Sequence, residues 1–317
     1  MIKALLAILK FQVWTKVHLF EKQGVNYYYL NVQDVEILDR YLLNFLLQLN
    51  SCSPTIIVIP LKIKFLKRFF EGRNWRTYQT MLIQSSNLHF ALKTNLRAWK
   101  AVNFDYFRTE IKNIATYKVT IGPHPIHFNN YRKVSGTEKR NGIYFSGAQS
   151  QQYSKNFSNN TWGMPSRVET IEFLKENGLG EIIFNRMSPD AYFTKLKQSA
   201  YFLALPGMYM PLSHNVFEAM FSGCIPIIHL RYLQLLPETM QEELTPYSWD
   251  SHVELLQLIS KLTNEIHARE EKTRIACAKF ANSYFHNPIL HDSVAKAETI
   301  IICAEEHSVR IKESAML

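Results

Sequence analysis

Residues 201–229 read YFLALPGMYMPLSHNVFEAMFSGCIPIIH. The apolar run 201–205 predicts a strand, stopped by Pro206 and Gly207. Residues 213–222 predict a helix, with Gly223 as its stop. Residues 225–229 (IPIIH) predict a second apolar strand. Strands that are apolar on both faces, joined by a helix, form a parallel βαβ unit whose sheet is covered on both sides. In such a sheet the loops after the carboxyl ends of the strands line the ligand crevice. The first-turn N–H groups of the helix lack intrahelical partners and sit at the positive end of its dipole, which suits a diphosphate.

The helix itself carries the most specific signal. Val216, Phe217, Ala219, Met220 and Phe221 cover most of its circumference, so Glu218 is expected to be buried among them. A buried carboxylate without hydrogen-bond donors costs on the order of a few kcal/mol. His214 and Asn215 precede Glu218 by four and three residues, on the same face. Ribose hydroxyls are suitable donors to Glu218, with His214 and Asn215 near the phosphates. An Arg or Lys paired with Glu218 for structural reasons is the alternative.

Outward from this unit the alternation continues. Residues 142–146 (GIYFS) predict a strand followed by Gly147, and 167–177 an amphipathic helix closing at Gly178. A strand is expected over 181–185 and a helix over 189–199, with Ser188 as its N-cap. Further helices are expected near 252–262, 266–284 and 292–308. The first part mixes a helix at 35–49 with strands at 55–59 (TIIVI), 88–92 and 118–121. The polar, glycine-bearing stretch 129–142 (NNYRKVSGTEKRNG) reads as a linker. The expectation is an α/β protein of two domains, residues 1–135 and 136–317, the second doubly wound. The last helix is expected to pack back on the first domain.

The chain has 317 residues and a formal net charge of +9, with local basic density over 62–76 (KIKFLKRFFEGRNWR). This balance favours anionic partners: nucleic acid, anionic lipid or phosphorylated small molecules. Cys52, Cys224, Cys277 and Cys303 form no CxxC pair, which excludes zinc spacing and points to reduced, buried thiols. The run MIKALLAILKF is too short to span a bilayer and lacks a cleavage site.

The run Ser213-His-Asn-Val-Phe-Glu218-Ala, followed by Gly223-Cys-Ile-Pro-Ile-Ile228, resembles the C-terminal signature of exostosin-type glycosyltransferases, a GT-B family. The strand ending in Pro206-Gly207, the run IYFSG at 143–147 and the order of the intervening elements are similar as well, so the resemblance covers about residues 140–230. It implies a GT-B-like fold of two Rossmann-like α/β domains facing across a cleft. It also implies a nucleotide-diphosphate sugar as donor, with Glu218 on the ribose and Ser213, His214 and Asn215 at the diphosphate. Gly147 and Gly207 stand where the family's strand-end glycines stand. Where exostosin-like proteins carry an Arg two residues after the matching Ser, this chain has Asn215. Arg167, at a helix start after the Gly147 loop, or Arg186 is expected to supply a cation instead.

Other chemistries lack their residues. There is no Asp-x-Asp, P-loop, GxGxxG or GxSxG, so no metal is expected at the diphosphate and no cofactor is implied. His124 and His127 form a pair on a proline-containing loop with no acidic or thiol residue to complete a metal site. An inverting transfer needs a base for the acceptor hydroxyl. Asp105, His124 and His127 are eligible by type, and His124 is the candidate, placed after a predicted strand and Gly122-Pro123.

The reading is therefore a glycosyltransferase acting on a glycan or lipid-linked glycan acceptor, in surface polysaccharide or lipopolysaccharide synthesis. It is expected in the cytoplasm, with peripheral contact to anionic membrane at the inner face. A basic nucleic-acid-binding protein is the first alternative, resting on residues 62–76, although nucleic acid is not the expected partner. A GT-B relative without donor binding is the second, resting on Asn215.

Overall fold

The computed structural model describes residues 12–13, 23–32, 39–51, 55–60, 88–91, 99–104, 115–120, 141–150, 163–207, 214–234, 236–264, 270–286 and 291–303. It is an α/β protein with two sheets, every strand pair in both being parallel. The chain divides into two compact units, residues 1–126 with 285–304, and residues 127–284 with 305–317.

The first unit holds a seven-stranded sheet. Its strands are β1 (Gln12–Val13), β2 (Asn26–Val32), β3 (Thr55–Pro60), β4 (Leu88–Ala91), β5 (Lys100–Phe104), β6 (Thr116–Thr120) and β12 (Thr299–Cys303), in the order β1-β4-β3-β2-β5-β12-β6. Tyr28, Tyr29 and Leu30 of β2 and Ile57, Val58 and Ile59 of β3 are buried in unbroken runs, as strands covered on both faces require. Helix α1 (Asp39–Ser51) joins β2 to β3 and buries Leu42, Phe45, Leu46 and Leu49 at helical spacing. The expected start at 35 falls outside the described residues. Helix α9 (His291–Lys296) leads into β12, and Lys100 of β5 donates to the carbonyls of Ala295 (2.6 Å) and Ala297 (2.8 Å) at its end.

One expectation fails here. The helix expected over 292–308 is a short helix followed by a strand. The run Thr299-Ile-Ile-Ile-Cys303 is β-branched and pairs with both β5 and β6, burying Ile300, Ile301 and Ile302. Stiff χ1 angles and two free strand edges outweigh the helical reading of the residues before it. Residues 304–308 lie outside the described residues, as do residues 129–140 of the linker expected over 129–142.

The second unit holds a five-stranded sheet: β7 (Ile143–Ser146), β8 (Ile183–Phe184), β9 (Tyr201–Ala204), β10 (Ile225–His229) and β11 (Ser248–Trp249), in the order β11-β10-β9-β7-β8. Helix α2 (Arg167–Glu176) joins β7 to β8, α3 (Pro189–Gln198) joins β8 to β9, and α4 (His214–Phe221) joins β9 to β10. Helices α5 (Leu230–Leu233) and α6 (Glu238–Leu244) precede β11, and α7 (His252–Asn264) and α8 (Glu270–His286) follow it. All residues of β7, β9 and β10 are buried. Tyr201 donates to Glu270, which ties α8 to β9. The strand expected over 181–185 is shorter. Residues Gly180–Ile182 form a 3-10 turn that satisfies its own backbone, and only Ile183–Phe184 pair with β7 at the sheet edge.

The order of this sheet marks a candidate site. From β7 the chain steps outward to β8, then crosses back over β7 to β9 and continues through β10 to β11. Successive connections therefore diverge between β7 and β9. In an open parallel sheet the crevice at such a divergence, outside the carboxyl ends of the strands, is where ligands bind.

Candidate functional site

At the divergence, β7 ends in Ser146-Gly147 and β9 runs into Pro206-Gly207. Helix α4 begins with His214, and its residues Asn215 to Met220 are all buried. Its end is fixed by two bonds, Gly223 N–H to Met220 O (3.0 Å) and Cys224 N–H to Ala219 O (2.9 Å), with Gly223 at φ +81°. That is the Schellman arrangement, and only glycine takes such a φ at little cost.

Glu218 is 6% exposed, the buried carboxylate that the sequence predicts. His214 Nε2 lies 4.0 Å from its Oε2, one turn away, while the His214 side chain remains half exposed at the helix start. Asn215 is buried, and its Nδ2 donates to the carbonyl of Ser146 (3.3 Å), binding the first turn of α4 to the end of β7. Its amide is thus used across the divergence, a purely structural bond at the position where the resemblance leads one to expect an arginine.

Arg167 is the first residue of α2, and it is 4% exposed. Its Nε donates to Pro206 O (2.9 Å) and its Nη1 to Ala148 O (3.4 Å), so one guanidinium holds the segments after β9 and β7 together. The cation also lies over the Phe145 ring, 5.6 Å from its centre. A Cβ on Gly147 would come within 3.0 Å of Phe145 Cζ and 3.3 Å of Arg167 Nη1. Glycine leaves room there for the ring and the guanidinium, which any Cβ would crowd. Helix α2 starts with a capping box: Ser166 Oγ accepts from Glu169 N–H (3.2 Å), and Ser166 N–H donates to Glu169 (2.6 Å).

Gly147, Arg167, Gly207, His214, Asn215 and Glu218 are thus gathered around the carboxyl ends of β7 and β9 and the start of α4. Arg186 is exposed beyond the end of β8, the edge strand on the far side of β7 from β9. Ser213, Asp105, His124, His127 and the basic segment 62–76 lie outside the described residues. The residues that the sequence reading does not single out are Ser146, Phe145, Ser166 and His229. Ser166 had a legible signal in the Ser-x-x-Glu spacing of 166–169, whereas Ser146 contributes through its carbonyl, which leaves no mark on residue type.

His229 ends β10, in the same row of strand ends. It is buried, and its Nδ1 accepts from Arg231 N–H (3.1 Å) as the cap of α5. Burial pushes its pKa down to about 4, against the weaker opposing pull of the Asp250 carboxylate. Trp249 meets its ring edge to face at 4.6 Å. His252 stacks on Phe173 at 4.5 Å and contacts Thr170, which joins α7 to α2; its pKa too is lowered by burial. These groups hold the sheet end and its helices together.

Among the described residues no cluster of three or more His, Cys, Asp or Glu is arranged to hold a metal ion, and no helix is long and apolar enough to cross a membrane. In comparisons with known proteins, no family model, curated protein or solved structure matches the chain.

Proposed function

We propose that the chain is a glycosyltransferase of the GT-B type. In this reading it moves a sugar from a nucleotide-diphosphate sugar to a glycan or lipid-linked glycan acceptor, in the synthesis of a surface polysaccharide or lipopolysaccharide. The single observation that carries the reading is the position of buried Glu218, one turn into the helix that starts at the divergence between β7 and β9. A carboxylate buried at a ligand crevice is well matched to ribose hydroxyls, which donate to it. The first-turn N–H groups of α4 are matched to phosphate oxygens, and His214 stands exposed beside them. In the transfer, the bond from the anomeric carbon to the diphosphate oxygen breaks, and a bond to the acceptor oxygen forms. The positive end of α4 stabilises the leaving diphosphate. The acceptor proton passes to a base, for which His124 is the candidate in an inverting enzyme. The acceptor is assigned to the first unit, and the site of action to the cytoplasmic membrane face.

A second reading is a relative that has this fold and no donor binding. It is favoured by the use of both Asn215 and Arg167 on backbone carbonyls. One experiment separates the two: thermal-shift binding of UDP, GDP, CMP and ADP to wild type and to Glu218→Ala. The transferase reading expects one nucleotide to raise the melting temperature by mass action. Loss of a charged hydrogen bond in the variant is expected to weaken that nucleotide about tenfold or more. A folded wild type indifferent to all four sinks the transferase reading in favour of the second.

A further inference from the structure

We propose that Arg167 is a positioning residue, a strap that fixes the two strand-end segments of the crevice, and that it makes no bond to phosphate itself. The proposal deepens the nucleotide reading above and rests on it for its effect on binding. Four features of the structure carry it. The side chain is 4% exposed, so its charge is withdrawn from solvent. Two of its nitrogens are engaged by carbonyls from different segments, Pro206 after β9 and Ala148 after β7. Its face rests on Phe145, inside the strand that precedes the crevice. Gly147 lacks the Cβ that would crowd it, 3.3 Å from Nη1.

The guanidinium geometry explains why this residue is an arginine. Its N–H groups form a rigid planar fork, so two carbonyls at fixed positions are held at a fixed separation. A lysine ammonium is a point charge on a flexible stem, and it reaches one carbonyl without fixing the other. The sheet alone does not hold these segments, because β7 and β9 pair only through Ile143–Tyr201 and Tyr144–Phe202, near their amino ends. Beyond those pairs the strand ends are joined by side chains, Arg167 on one side and Asn215 on the other. A site that receives a nucleotide depends on that spacing over the whole ligand, ribose and phosphate alike, because misplaced donors and acceptors lose much of a hydrogen bond.

The test uses the full chain and three variants: Arg167→Lys, Gly147→Ala and the double variant. Gly147→Ala retains the arginine but places a methyl group 3.0 Å from Phe145 Cζ and 3.3 Å from Arg167 Nη1, so ring and guanidinium must shift and the variant reports on the strap without removing the charge. The first readout is the affinity for UDP, GDP and ADP and for the matching monophosphates. For whichever nucleotide binds wild type, each single variant is expected to weaken diphosphate and monophosphate by the same factor, about tenfold. The double variant is expected to weaken them no further, as coupled residues do. The second readout is amide hydrogen exchange in unliganded protein, where peptides spanning 147–150 and 205–207 are expected to exchange at least about tenfold faster in each variant. Selective loss of the diphosphate in Arg167→Lys would show a direct phosphate ligand and overturn the proposal, as would unchanged exchange in both segments. A wild type that binds no nucleotide overturns the reading of the site, and the exchange experiment alone then decides whether the strap exists.

Discussion

Glu218 and Arg167 are buried charges of opposite sign whose environments differ in kind. Arg167 is surrounded by carbonyls that the chain itself provides, whereas the Glu218 carboxylate faces a half-exposed histidine at a helix start. The sequence makes burial of Glu218 legible, because five apolar neighbours surround it on a short helix. It does not make the partners of Arg167 legible, since Pro206 O and Ala148 O are backbone atoms brought close only in the folded unit. His229 illustrates the same limit: its type suggests chemistry, and its surroundings show a neutral helix cap. Its folded-state pKa near 4 lies below the ordinary histidine value of 6.5. The stabilisation it gives is therefore complete above pH 6.5 and is lost as pH falls towards 4, in total on the order of 3 kcal/mol. His89 in the first unit, also held near 4 by burial, acts in the same direction. Urea unfolding at pH 7.5 and at pH 5 is expected to show lower stability at pH 5. His229→Asn, which keeps a capping acceptor and removes the titration, is expected to reduce that difference, and an unchanged difference would count against a neutral buried His229.

Elements of the second unit follow their local signals closely. Ser188 caps α3 as expected, with Pro189 at its first position, and Gly223 closes α4. These signals are legible because caps depend on one residue and its own backbone. The 3-10 turn at Gly180–Ile182 departs from the expected strand because an edge position offers one pairing partner, too few to extend the ladder. Helix α4 begins beside the divergence between β7 and β9 and leads into β10, so its stop matters as much as its start. Gly223→Ala forces a Cβ into a left-handed conformation and is expected to cost about 1–2 kcal/mol, read as a lower urea midpoint with unchanged slope. Ser166→Ala removes the Oγ that accepts from Glu169 N–H, leaves the backbone N–H of residue 166 to donate to Glu169, and is expected to cost about 1 kcal/mol. A cost near zero in either variant would mean that packing alone sets the helix ends.

The two units each form a parallel α/β sheet, and that class is written in the sequence as apolar runs alternating with helices. Membership of β12 in the first sheet is a non-local fact, since its partners β5 and β6 lie almost two hundred residues earlier. No local pattern announces a partner at that distance, so the run 299–303 was open to a helical reading. β12 joins β6 to the rest of the sheet: Thr299–Ile302 pair with β5 and Thr299–Cys303 with β6, and among the described residues β6 pairs with no other strand. Burial of Ile300, Ile301 and Ile302 contributes about 1.5–3 kcal/mol each, a large share of the stability of an ordinary domain. Truncation after residue 298 is therefore expected to abolish hydrogen-exchange protection in β2, β3 and β5 while β7, β9 and β10 retain theirs. Retained protection in β2 and β3 would show that the first sheet stands without its late strand.

The interleaving of β12 also sets an order of events during synthesis. The five strands of the second sheet, all within residues 143–249, are made before Thr299 leaves the ribosome. The middle of the chain can therefore reach its native state while the first 126 residues still await the strand that closes their sheet. Nascent β5 and β6 carry unsatisfied backbone edges throughout that interval, the kind of surface that chaperones bind and that aggregation exploits. For this protein the sheet begun first is the sheet completed last.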